Sequence, residues 1–252
     1  MRHPSADVTP RSSFLGLLAG GLAALAGGGL LARDLAAQGA AQTAAPAATP
    51  RAPTSAAWDM SWVERVKGAH RQVFDAPEIA DAVALHQART WMNDFAEVYG
   101  VKDADTSAVL VIRHAAIPMV LNDALWDELE LGKAAASLAA DGKEARDPAT
   151  GQPARRNPFL NANVRPGDRH AVRYVWPDGG LDTLLARGAI VLACNLALRH
   201  PIAMVARRDG VSAEAARAKV LANLLPGVVV MPSGIFAVGR AQEAGCHYIR
   251  AT

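Results

Sequence analysis

The chain has 252 residues, a length that fits one domain or a small pair of domains. Its 26 basic and 24 acidic residues give a formal net charge of +2 at pH 7, and this near balance argues against a nucleic-acid partner. Hydrophobic residues make up 51% of the chain, which is enough for a sizeable core.

Residues 1–38 have the composition of an export signal. Arg11 precedes an apolar, glycine-rich run over residues 14–32, and small residues suited to signal-peptidase cleavage follow. The stretch around Arg11 resembles a twin-arginine export motif in which Ser12 replaces the second arginine. We therefore expect a periplasmic protein. The alternative is an uncleaved anchor, because the run is just long enough to cross a bilayer, but no stable membrane span is expected after cleavage.

The rest of the chain divides into a linker and one folded domain. Residues 39–60 are rich in Ala, Pro and Thr and are predicted to be disordered, whereas residues 61–252 are predicted to form the domain. Within this domain, residues 134–174 break the pattern with turn signals such as Asn157-Pro158. An insertion of this length is either a lid-like functional loop or a disordered excursion, and we favour the lid.

Short apolar segments alternate with helical patterns along the domain. Strands are predicted at residues 70–75, 107–114, 189–195, 228–231 and 246–250, and helices lie between them. This alternation predicts an α/β fold, a three-layer sandwich with a mainly parallel five-stranded sheet, because crossovers between parallel strands are right-handed.

Capping residues indicate where several helices begin and end. Pro77 is predicted to open the first helix, since a proline in the first turn loses no hydrogen bond, and Gly100 is predicted to end it. Asn122 is predicted to cap the second helix and Gly132 to stop it. Ser233 is favoured as the cap of the last helix.

The strand at residues 189–195 ends in Cys194, and a helix is predicted to start just after it. In open parallel sheets, ligands and chemistry collect at the carboxyl ends of the strands. Cys194 is therefore either a functional thiol or a buried residue that packs as a small hydrophobe. A helix start beside it would favour the reactive thiolate. Cys246 begins the last strand, so the two cysteines are predicted at opposite edges of the sheet, too far apart for a disulfide.

Other strand ends are predicted to bring polar residues to the same edge. Arg113 would hold an anion or pair with a surface carboxylate, and His114 would accept a proton. The candidate binding residues at this edge are Arg113, His114, Asn195, Ser233 and Gly234. The sequence has no G-x-G-x-x-G after the first strand, no P-loop, no C-x-x-C and no zinc spacing, so neither a cofactor nor a metal is predicted.

The C-terminal half resembles DsrE/DsrF-like proteins. The resemblance rests on AIVLACNLAL at residues 189–198, LPGVVVMPSGIFAV at 225–238 and RAQEAGCHYI at 240–249, and it extends over roughly residues 71–250. It implies a DsrE-like fold, a homo-oligomer, and a sulfur-relay role with a sulfur donor or acceptor protein as partner. The position that matches the persulfide-carrying cysteine is Cys194, and in that role Arg113 would hold the anionic sulfur species. The rival hypothesis is a non-catalytic module that binds a small ligand or serves assembly.

Overall fold

The structure, a computed structural model, describes residues 58–138, 142–169 and 176–252. The predicted export signal at residues 1–38 lies outside the described residues. So do residues 39–57 of the predicted linker and residues 139–141 and 170–174 of the predicted insertion.

Five parallel strands form one sheet in the order β4-β3-β2-β1-β5. The strands are β1 (His70–Ala76), β2 (Thr106–Ile112), β3 (Ile190–Cys194), β4 (Val229–Met231) and β5 (His247–Arg250). The predicted fold class is confirmed, and each strand lies where the apolar segments of the sequence place it. Because the strands are parallel, their carboxyl ends meet at one edge of the sheet.

Helices cover both faces of this sheet. They are α1 (Val83–Tyr99), α2 (Asp123–Glu128), α3 (Leu131–Leu138), α4 (Leu181–Ala186), α5 (Asn195–Asp209), α6 (Ala213–Ala222) and α7 (Gly234–Glu243). Across the described ranges, none of these helices combines the length and the apolar character needed to cross a bilayer.

Alternation of side chains along the strands creates two separate cores. Phe74 and Leu110 point to the face covered by α1, here called the α1 face, where most of the buried residues cluster. Val73 and Val111 point to the opposite face, the α7 face, where they pack with Ala237 of α7. The two cores on either side of one sheet make the three layers.

The first helix starts later than predicted. Pro77 does not open it, because Ala80, Asp81 and Ala82 have φ angles of 41°, 52° and 63°, which interrupt a right-handed helix. The helix α1 therefore begins at Val83. Its end is as predicted, since Gly100 adopts a φ of 66° and its N–H donates to the carbonyl of Ala96.

The second helix, predicted over residues 123–131, ends earlier than predicted, and another helix follows it directly. Asn122 caps α2 as predicted, and its Oδ1 accepts a hydrogen bond from the Leu125 N–H at 3.2 Å. However, α2 ends at Glu128, the chain turns at Glu130 with a φ of 47°, and Gly132 lies inside α3. A Cβ atom on Gly132 would lie 2.3 Å from the backbone nitrogen of Ala154, so this glycine permits close packing and does not stop a helix.

Two parts of the predicted insertion are described: residues 134–138 belong to α3, and residues 142–169 are irregular but well packed. The Phe159 ring lies 6.0 Å from the ring of Trp126 in α2. The side-chain amide of Asn157 donates to the carbonyls of Met119 and Leu121 at 2.9 and 2.8 Å. These contacts join the segment to the body of the domain beside α2.

Candidate functional site

The carboxyl edge of the sheet collects most of the residues that the sequence singles out. Cys194 is the last residue of β3 and is opposite Met231 of β4, while Ala193 is opposite Ile112 of β2. Arg113 follows Ile112 directly, and its N–H donates to the carbonyl of Ala76 at 3.0 Å. Because β2 and β3 pair directly, Cys194 and Arg113 lie at neighbouring strand ends. Adjacent strands in a sheet are about 4.8 Å apart.

Cys194 is a free thiol at the junction of a strand and a helix. Its side chain points to the α7 face, because it alternates with Ala193 and shares the direction of Leu192. It is 6% exposed and takes the N-cap position of α5, where its side chain makes no capping hydrogen bond. The N–H groups of the first turn of α5, which have no acceptor within the helix itself, therefore lie beside this residue.

A buried ion pair lies next to this junction. Arg113 donates from Nε and Nη2 to the two carboxylate oxygens of Asp75 at 2.6 and 2.9 Å, and the Tyr248 hydroxyl donates to Asp75 Oδ2 at 3.1 Å. Asp75 is 4% exposed, and a buried carboxylate needs such partners to offset its lost hydration. The three side chains join the ends of β1, β2 and β5 on the α7 face.

The ion pair also changes the acid–base properties of its members. The hydrogen bond to Asp75 raises the pKa of the Arg113 guanidinium, with smaller contributions from the charges of Tyr248 and Cys194. Partial burial and the hydrogen bond to Asp75 raise the pKa of the Tyr248 phenol. Arg113 therefore remains a fixed positive charge near Cys194 over the whole physiological pH range.

The start of α7 fixes the position of the Arg113 side chain. A Cβ atom on Gly234 would lie 2.4 Å from Cδ of Arg113 and 2.7 Å from its Cβ, so only glycine leaves room for this side chain. Ser233 acts as the helix cap that the sequence favours, because its hydroxyl accepts the Phe236 N–H at 3.1 Å. The structure thus brings Arg113, Cys194 and Gly234 to one place and uses Ser233 to hold α7 there.

His114 and Asn195 direct their polar groups elsewhere. The His114 side chain is 68% exposed, and its Nδ1 lies 3.7 Å from a carboxylate oxygen of Glu78. The Asn195 side-chain oxygen accepts a hydrogen bond from Nη1 of Arg217 in α6 at 2.6 Å. Both residues are at the predicted edge, but these contacts are not with Cys194.

Sequence reasoning missed Asp75 and Tyr248. Asp75 had a usable signal, because it is an acidic residue directly after the apolar pair Val73-Phe74, near the carboxyl end of a predicted strand. Tyr248 had none, since its contact with Asp75 depends on β5 pairing with β1.

Cys246 lies at the amino ends of the strands, whereas Cys194 lies at their carboxyl ends, as predicted. In addition, the strands β2 and β1 separate β3 from β5. Both cysteines are free. Burial raises the pKa of the Cys246 thiol to about 11, and the nearby charge of Arg71 only partly opposes this. Cys246 is therefore a poor nucleophile at neutral pH.

No protein-family model matches the chain, and no curated protein matches it. Among the described residues, no group of three or more His, Cys, Asp or Glu side chains is arranged to hold a metal ion. The groups that the structure brings together at the carboxyl edge are the Cys194 thiol, the Arg113–Asp75 ion pair, the Tyr248 hydroxyl and the start of α5.

Large apolar side chains are exposed around this site. Leu196 is 51% exposed and lies two residues after Cys194, while Ile235 and Phe236 are 79% and 43% exposed and follow Ser233 and Gly234. We call these three residues the carboxyl-edge rim. Exposed apolar residues that cluster around a site are typical of protein contact surfaces.

Proposed function

We propose that this chain is an exported DsrE-like protein that carries sulfur as a persulfide on Cys194. The proposal joins the sequence resemblance to one structural observation, the position of Cys194 between the end of β3 and the start of α5, beside Arg113. Both the helix start and the guanidinium stabilise negative charge on sulfur. The proposed site of action is the periplasm, after removal of the predicted signal at residues 1–38.

The proposed reaction is a sulfur transfer that needs no external oxidant. The Cys194 thiolate attacks the outer sulfur of a donor persulfide, a new S–S bond forms, the donor S–S bond breaks, and the donor leaves as a thiolate. The reverse attack by an acceptor thiolate regenerates Cys194. Arg113 donates hydrogen bonds to Asp75 from Nε and Nη2, whereas its Nη1 makes no hydrogen bond to any described residue. In this proposal, Nη1 donates to the persulfide anion.

Two kinds of protein partner belong to this proposal. A sulfur donor or acceptor must bring its own sulfur to Cys194, and the carboxyl-edge rim of Leu196, Ile235 and Phe236 supplies apolar surface for that contact. The second partner is another copy of this chain in a homo-oligomer. The strand β5 is an exposed edge strand, and proteins seldom leave such strands unpaired. Light scattering at micromolar concentration tests the homo-oligomer, and a monomer contradicts it.

Intact-mass spectrometry after incubation with polysulfide tests the proposed function. We expect the wild type to gain the mass of one sulfur atom, the Cys194→Ser variant to gain none, and the matched Cys246→Ser variant to behave as the wild type. Dithiothreitol should remove the added mass, since a persulfide is reducible. Sulfur addition that persists in Cys194→Ser contradicts the proposal.

The second candidate is a non-catalytic binding or assembly module with the same fold. It is favoured by the low exposure of Cys194 and by its neighbours Leu192 and Met231, which belong to the apolar core on the α7 face. In this case Cys194→Ser retains the oligomeric state of the wild type, and the folded wild type takes up no sulfur. The mass experiment therefore separates the two candidates.

A further inference from the structure

The strand β5 is the edge of the sheet on the side of β1, and all of its residues are exposed. Within the described part of the chain, β1 is the only strand that pairs with it. Tyr248 and Ile249 are 46% and 38% exposed, which is unusual for large side chains in a sheet. An edge strand of this kind is a template on which another strand can pair.

The hydrogen bonds to β1 show which backbone groups of β5 point outward. The Ala251 N–H donates to the carbonyl of Asp75 at 2.8 Å, so residue 251 directs its N–H toward β1. Successive residues of a strand direct their N–H and C=O groups to opposite sides. Ile249 therefore also bonds toward β1, whereas Tyr248 and Arg250 direct their N–H and C=O groups to the open edge.

One antiparallel register of two β5 strands is favoured. If Tyr248 lies opposite Arg250 of a second copy, a two-fold axis passes through Ile249, and each opposite pair exchanges two N–H···O=C bonds. A register with Arg250 opposite itself brings like charges together. A register with Tyr248 opposite itself pairs Arg250 with Cys246, whose N–H already donates to the Ala241 carbonyl at 3.0 Å.

The side chains fit the same register on both faces of the sheet. Tyr248 is paired with Val73 and points to the α7 face, while Ile249 is paired with Phe74 and points to the α1 face. The Tyr248 ring then lies beside the Arg250 guanidinium of the second copy, a cation–π contact that is present twice in the dimer. On the other face, the two Ile249 side chains lie directly opposite each other and bury apolar surface.

We propose that β5 pairs with β5 of a second copy in this register and joins the two sheets into one. The second copy then contributes Arg250 to the surroundings of the buried network, because Tyr248 donates to Asp75 Oδ2 at 3.1 Å and Asp75 holds Arg113. This inference rests on the homo-oligomer of the proposed function but not on its sulfur chemistry. It can therefore fail while Cys194 still takes up sulfur.

Disulfide cross-linking of the full chain tests the register. Ile249→Cys places a thiol on the two-fold axis, where opposite Cα atoms are about 4.5 Å apart, within the disulfide range of about 4.4–6.8 Å. We expect oxidation with copper phenanthroline to convert most of this variant to a covalent dimer in non-reducing gel electrophoresis. The matched control is His247→Cys on the same face of β5, because in this register it lies roughly 14 Å along the strand from its own copy. It should cross-link at least about tenfold more slowly.

The wild type gives the background of this experiment, since both native cysteines are only 6% exposed. Equal cross-linking of the two variants, or none of either, overturns the proposal. A dimer in light scattering without a cross-link in Ile249→Cys places the homo-oligomer at another surface and also overturns it.

Sedimentation equilibrium tests the contact between Tyr248 and Arg250 of the second copy. Arg250→Ala should weaken the dimer by about fivefold to thirtyfold, because each dimer contains this contact twice. The matched control is Arg207→Ala, which removes an exposed arginine outside β5. If the control weakens the dimer as much as Arg250→Ala, the contact does not form as proposed. Circular dichroism of each variant confirms that it is folded.

Discussion

The two cysteines are buried to the same extent and yet stand in different chemical surroundings. Each is 6% exposed, but Cys194 lies at the carboxyl edge beside Arg113 and a helix start, whereas Cys246 lies at the amino edge. At Cys246 the effect of burial outweighs the nearby charge of Arg71 and raises the pKa of the thiol to about 11. Two thiols of equal exposure therefore have different neighbours, and we expect the charge and the helix direction at the strand end to affect their reactivity as well.

The largest effect on the surroundings of Cys194 is expected from the removal of Asp75, which holds Arg113 in place. Asp75→Ala leaves the guanidinium without its buried partner, and we expect the free energy of unfolding to fall by about 3 kcal/mol. Urea unfolding measures this loss. The control is Asp127→Ala, which removes the partner of Arg155 in an exposed ion pair and should change stability by less than about 1 kcal/mol. Equal losses in the free energy of unfolding would show that the ion pair of Asp75 stabilises the fold no more than an exposed ion pair does.

The rates of alkylation compare the two thiols directly. At about pH 8 we expect iodoacetamide to modify Cys246 roughly 100-fold more slowly than an ordinary thiol, because a pKa of about 11 leaves little thiolate at that pH. Its rate should rise as the pH approaches 11, since the thiolate then becomes populated. Cys194 should react faster than Cys246 at about pH 8. Peptide mapping gives both rates, and faster modification of Cys246 contradicts the comparison.

Gly234→Ala tests whether the position of Arg113 matters at the carboxyl edge. The added methyl group would lie 2.4 Å from Cδ of Arg113, so the side chain must move, and we expect a loss of about 1–3 kcal/mol in stability. Gly239→Ala is the matched control in the same helix. A Cβ there meets no atom within 4 Å, and alanine should stabilise α7 by about 0.5–1 kcal/mol. If both variants are stabilised, Arg113 is not confined as the structure indicates.

The smallest expected effect concerns Tyr248. Tyr248→Phe removes the hydroxyl that donates to Asp75, and we expect the free energy of unfolding to fall by about 1 kcal/mol. Tyr99→Phe is the control, because the Tyr99 hydroxyl makes no hydrogen bond to any described residue. Thermal unfolding of both variants measures the difference. A wild-type value for Tyr248→Phe would limit the buried network to Asp75 and Arg113.

Local patterns in the sequence were sufficient for the strands and for several helix ends. The caps at Asn122 and Ser233 and the left-handed glycine at Gly100 were predictable, because each depends on residues within one helical turn. The helix start at Pro77 and the stop at Gly132 were predicted wrongly. The first failed because residues 80–82 adopt positive φ angles, and the second because Gly132 serves close packing against Ala154.

The fold class, the five strands and the placement of Cys194, Arg113 and Ser233 at one edge of the sheet could be predicted from the amino-acid sequence alone. Apolar runs of strand length and the rule that parallel strands end at a common edge are enough for these features. The side chains that surround these residues depend on tertiary contacts. Asp75 is 38 residues from Arg113 and 173 residues from Tyr248, so their network depends on the strand order, which places β1 between β2 and β5. Strand order is set by packing among distant segments, and no local pattern encodes it.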